Sequence, residues 1–110
     1  MNIEKELDIF KAYTSRMNDI FAAKRHDYGP STTDTFRRYG AVSMLVRMRD
    51  KLNRLDTLLV EKVNQKVNDE QIEDTLLDLA NYSIITILEL CKANSEVCAN
   101  DYDRKGCRMD

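Results

Sequence analysis

The stretch NDEQIEDTLLDLANYSIITILELCKA, residues 68–93, decides the fold. No glycine or proline interrupts it, and its apolar residues recur at the three- and four-residue steps of a helix face. Asn68 stands as N-cap with Gln71 three positions on, the spacing of a capping box. Asp69 and Glu70 suit the positive end of the helix dipole. The stretch therefore predicts a helix ending at about Ala93. At about 100° per residue, Glu70, Asp74, Asp78 and Asn81 fall in one sector, roughly a quarter of the circumference wide. Leu77, Ile85 and Leu88 continue the same sector, so the acidic stripe runs into an apolar one. Thr75, Tyr82, Thr86 and Glu89 are the expected solvent face.

Outward from this helix, the chain reads as helical throughout. Its 110 residues allow one domain, and only 3 Gly and 1 Pro punctuate them. Leu7, Phe10, Tyr13, Met17, Ile20 and Phe21 predict a first helix over about residues 2–25. That helix is expected to stop at HDYGP, residues 26–30, where Gly permits a positive φ and Pro removes a helical donor. STTD, residues 31–34, supplies candidate N-caps for a second helix over about residues 35–61. Its apolar stripe reads Met44, Met48, Leu52, Leu55 and Leu59, with Gly40 marking a kink or close packing near its start. The fold class is all-α, a helical hairpin or small bundle over residues 1–93, followed by a polar tail over 94–110.

Composition narrows the function. A net charge of −2 gives no basic excess for a phosphodiester backbone, so a nucleic-acid partner is not expected. No stretch approaches the roughly 18–20 apolar residues that span a bilayer. The N-terminus carries charges throughout, which predicts no secretory signal and a cytoplasmic protein. The three cysteines, Cys91, Cys98 and Cys107, match no zinc spacing and read as free thiols. No glycine-rich phosphate loop, HExxH or GxSxG motif occurs. His26 has no nucleophile beside it and is assigned to the surface.

Three charged clusters carry the candidate chemistry. Carboxylates carried toward a helical core need compensation, and a divalent cation supplies it when they converge at four-residue spacing. The bland reading is that the first turns of that helix protrude into water. On the second helix, Arg47, Asp50, Lys51 and Arg54 share one face. They suit a polyphosphate, with Asp50 on a metal, or form an exposed ladder in which Asp50 pairs with Arg54. In KRHDYGP, residues 24–30, Lys24 can reach a phosphate and Tyr28 can stack on a base. Alternatively, Asp27 caps the turn and Tyr28 packs in the core.

Three segments in this order, KRHDYG at 24–29, RMRDKLNRLDTLL at 47–59 and EDTLLDLANYSIITI at 73–87, resemble the nucleotide modification associated domain 1 family. Small proteins of this kind occur in phages and bacteria, and they look related to the MazG-like all-α NTP pyrophosphohydrolases. The resemblance covers roughly residues 20–90. It implies a homodimer or homotetramer that binds Mg²⁺, with Mn²⁺ as a substitute, through carboxylates of two helices. The implied reaction cleaves a (deoxy)nucleoside triphosphate to monophosphate and pyrophosphate. The usual metal pattern is a pair of glutamates three apart, then a Glu and an Asp three apart. Here Asn53 follows Asp50 at that spacing, and Gln71 precedes Asp74.

On this reading Asp50, Asp74 and Asp78 carry the metal, and Glu70 or Glu73 is an added ligand or the base for water. Lys51 stabilises charge in the reaction. Arg47, Lys51 and Arg54 hold the polyphosphate, while Lys24, Tyr28 and Asn81 contact sugar or base. Two rivals stand beside it: a nucleotide-sequestering protein without hydrolysis, and an interaction protein whose charged faces only pair helices.

Overall fold

The chain first reverses at Gly40, not at Gly29–Pro30. The computed structural model describes residues 1–61 and 69–94, and its first helix, α1, runs Ile3–Tyr39. Asn2 caps it, its Oδ1 accepting from the Lys5 amide at 2.8 Å. The expected stop at 26–30 is corrected. Pro30 sits inside the helix, where it costs a donor, yet Gly29 keeps a helical backbone and Gly40 has the positive φ of 76°. The Gly40 amide closes the helix on the Phe36 carbonyl at 2.7 Å. The hydroxyls of residues 31–34 do not cap a new helix either. Thr35 donates back to the Ser31 carbonyl at 2.9 Å, a bond made within a continuing helix.

Helix α2 runs Val42–Leu55 and continues as a π-helical segment, Asp56–Glu61. The expected stripe shifts by one position at two places. Met44, Leu55 and Leu58 are buried and Met48 is half-buried, whereas Leu52 and Leu59 are exposed. The inward row is therefore Met44, Met48, Lys51, Leu55 and Leu58, a heptad-like series in which Lys51 takes an inner place.

Helix α3 runs Asp69–Ala93, the span read from the sequence, while Asn68 and residues 95–110 lie outside the described residues. It packs against both α1 and α2. Its expected solvent face is corrected: Thr75 and Glu89 are buried and Tyr82 and Thr86 half-buried, while Leu76, Ile84 and Ile87 are exposed. Nearly all-round apolarity in residues 76–90 removes the contrast that would orient a helix. Polar partners on the neighbouring helices then decide which side turns in. Among the described residues the buried apolar side chains are Phe36, Met44, Leu55, Leu58 and Leu77, with no strand.

No described helix is long and apolar enough to cross a membrane. Cys91, in the last turn of α3, is disulfide-bonded, which corrects the free-thiol reading there. Cys98 and Cys107 lie outside the described residues.

Candidate functional site

Where the middle of α1 faces α3, basic side chains of α1 meet carboxylates of α3. Lys24 donates to Asp78 Oδ1 at 2.9 Å, and Lys51 from α2 stands 3.3 Å from Oδ2. Burial pushes the Asp78 carboxyl up, but the two ammonium groups outweigh it and hold the group below its ordinary value. Asp78 is thus a carboxylate shared by two cations from different helices. Asn81, one turn on, is buried, and its Nδ2 donates to the Met17 carbonyl at 3.2 Å. That bond fixes the amide's orientation.

Beside this junction lies a cavity of about 260 Å³. Lys24 and Arg25 of α1 and Arg47 of α2 bring three cationic side chains to its wall, against the single carboxylate of Asp78. Ser31 and Thr32 contribute hydroxyls, Asn81 an amide and Tyr82 a phenol, while Phe21 and Ile85 supply apolar surface. The wall therefore combines an excess of positive charge, neutral polar groups and two aromatic rings. A small organic anion with a flat apolar part meets complementary chemistry on each side.

The candidates from the sequence divide accordingly. Lys24, Arg47, Asp78 and Asn81 line the cavity, and Lys51 reaches it through Asp78. Arg54 instead donates through Nε to Thr75 Oγ1 at 3.3 Å, rather than pairing with Asp50. Asp50 and Glu70 are exposed. Asp74 accepts from Arg16 Nη2 at 2.9 Å. Glu73 accepts from the Tyr13 hydroxyl at 2.7 Å and lies 3.5 Å from Arg16 Nη1. The bond to the Glu73 carboxylate raises the Tyr13 phenol above its ordinary value. Among the described residues no three His, Cys, Asp or Glu side chains are placed to hold one metal ion. The side chain of Tyr28 lies outside the described residues.

The sequence reading passed over Phe21, Arg25, Ser31, Thr32 and Tyr82. A break assigned to 26–30 takes Ser31 and Thr32 out of the helix that carries Lys24. Once α1 is continuous, Arg25, Gly29 and Thr32 fall on one side of it.

The family model for nucleotide modification associated domain 1 matches residues 24–90. The chain belongs to that family. The matched segment contains every cavity-lining residue except Phe21, and it also contains Lys51 and Glu89. The arm of α1 before Lys24 lies outside it. Comparison with curated proteins and with solved structures returned no match.

Proposed function

We propose that the cavity binds a nucleoside phosphate. The observation that carries this reading is the wall itself, in which Lys24, Arg25 and Arg47 outnumber the one lining carboxylate, Asp78, and Phe21 and Tyr82 flank them, with Glu89 paired to Arg25 outside the lining. Cations and hydroxyls meet phosphate oxygens, and apolar and aromatic surface meets a base. A family description that concerns nucleotide modification agrees with this chemistry. On this reading the protein acts in the cytoplasm on a small nucleotide.

Hydrolysis of a nucleoside triphosphate to monophosphate and pyrophosphate, as in the MazG-like enzymes, is the second reading. It is favoured by Asp74 and Asp78, which stand one turn apart on α3 with Asp78 in the cavity wall. The carboxylates of the single chain do not fit a metal site: those of Glu73, Asp74 and Asp78 are committed to Tyr13, Arg16, Lys24 and Lys51, and Asp50 stands apart. No step is therefore derived through Mg²⁺ or Mn²⁺.

A homo-oligomer accompanies both readings. Leu45, Val46, Leu76, Ile84 and Ile87 are exposed on α2 and α3, and a further copy of the chain would cover them. Light scattering should then give a multiple of the 12.8 kDa chain mass, and Ile84→Asp with Ile87→Asp should return it to a single chain.

The deciding experiment incubates the protein with ribo- and deoxyribonucleoside triphosphates and Mg²⁺, measuring both calorimetric binding and pyrophosphate release. Binding weakened about tenfold by Arg47→Ala is the expected result. Release that Asp74→Ala or Asp78→Ala abolishes would establish the hydrolase; binding without release would leave a sequestering protein. If no nucleotide binds, the reading fails and the interaction protein remains.

A further inference from the structure

Glu89 is the one buried charged side chain among the described residues, at 1% exposure, and the reading above gives it no part. Its Oε1 accepts from Arg25 Nη2 at 3.2 Å, Thr33 Oγ1 at 3.0 Å and Lys92 Nζ at 3.2 Å. A carboxylate this deep is costly to bury unless it is paired, and three donors converge on one oxygen to offset that cost. Lys92 is 43% exposed and Thr33 is neutral. Arg25, at 26%, is the partner that also lines the cavity.

Gly29 completes the arrangement. It is buried one turn from Arg25, and a Cβ there would stand 3.4 Å from Arg25 Cδ and 3.5 Å from Nε. The guanidinium stem thus lies across the glycine, held at its far end by Glu89. The neighbouring cation is used differently, since Lys24 places its ammonium on Asp78. A guanidinium has five N–H donors in a rigid plane, so the bond to Glu89 fixes its orientation and leaves donors for a second anion.

We infer that Arg25 is the group that grips the ligand's phosphate, and that Glu89 is its positioning residue, holding the guanidinium over Gly29 toward the cavity. This inference rests on the nucleoside-phosphate reading and deepens it by naming the anchor. A guanidinium already held in place loses little freedom on binding, so its hydrogen bonds go further toward affinity than those of a free side chain.

The test is calorimetry on the full chain with nucleoside 5′-mono- and triphosphates, the matching nucleosides and inorganic pyrophosphate. Arg25→Ala and Arg25→Lys should each weaken phosphate-bearing ligands about 10- to 100-fold, the lysine variant because it keeps the charge but loses the fork. Affinity for the nucleosides should change by less than about twofold. Glu89→Gln should weaken nucleotide binding about three- to tenfold in the natural chain but less than about twofold when combined with Arg25→Ala. A merely structural role would weaken both backgrounds alike. If Glu89→Gln does not fold, Arg25→Lys alone decides the anchor. Should the natural chain bind a nucleotide and both Arg25 variants bind it within about twofold, the inference falls and the nucleotide reading stands. Equal loss from Glu89→Gln in the two backgrounds overturns the positioning role. If the natural chain binds none of these compounds, both readings fall.

Discussion

The two ends of α3 carry acidic clusters built from the same parts and placed in opposite settings. Near its start, Glu73 and Asp74 meet Tyr13 and Arg16 of α1, with Arg16, Glu73 and Asp74 each about half exposed. Near its end, Glu89 meets Arg25, Thr33 and Lys92 with its carboxylate withdrawn from water. An ion pair in water gains little beyond what solvation already provides, and salt screens it. A buried carboxylate must keep its partners, because removing them strands a charge. The first cluster is a fastening between helices; the second is a fixed charge around which the cavity wall is arranged.

Breaking the inner cluster gives the largest expected effect. Glu89→Ala leaves Arg25 and Thr33 without their shared acceptor and should cost about 3 kcal/mol, on the order of 10 °C in Tm, by thermal denaturation. A loss below about 1 kcal/mol would mean that solvent satisfies Arg25 and Thr33 once the carboxylate is gone, and the contrast between the ends would collapse.

Acid separates the two clusters next. The Glu89 carboxyl lies below its ordinary 4.5 and that of Asp78 below 3.8, each raised by burial but lowered further by cations and donors around it. A depressed carboxylate contributes stability that is complete above its unfolded value and is lost as pH falls through the folded one. Tm should therefore hold as pH drops to about 5 and decline below about 4, and Glu89→Gln should flatten that decline.

At the outer cluster the pH response has the opposite sign. The Tyr13 phenol is raised above its ordinary 10.0, so its contribution is complete below that value and lost as pH rises through the folded one. Ultraviolet titration should find the Tyr13 phenol ionising above its ordinary 10.0, and Glu73→Gln should bring it back toward that value. Asp74→Ala, which breaks a half-exposed pair, gives the smallest change, about 0.5 kcal/mol or less in Tm-based stability. A larger loss would move Asp74 into the class of Glu89.

Helix α3 was readable because its start has a local signature and its length contains no breaker. The orientation of its faces was not. Thr75, Asn81 and Glu89 look like solvent positions or ambiguous ones until Arg54, the Met17 carbonyl and Arg25 stand against them. Gly29 and Pro30 misled in a related way. Together they have the chemistry of a helix stop, but here the glycine lies against the Arg25 stem within a continuous helix, and bonds to α3 from Lys24 and Arg25 before the proline and Thr33 after it tie both sides down. Lys24, Arg47 and Asp78 could be picked out as charges on candidate helices, and all three line the cavity. Arg25 could not, because nothing adjacent to it in sequence distinguishes it from Lys24.

The bonds that join α1 to α3 have a consequence for how the chain comes to be folded. Lys24 and Asp78 are separated by 54 positions, and Arg25 and Glu89 by 64. On a ribosome the first helix is complete long before its anchoring carboxylates exist, and closing so long a loop costs entropy before any contact repays it. The cavity is therefore among the last features of the molecule to take shape. A nascent chain released before residue 89 carries Arg25 with no buried counter-charge to hold it.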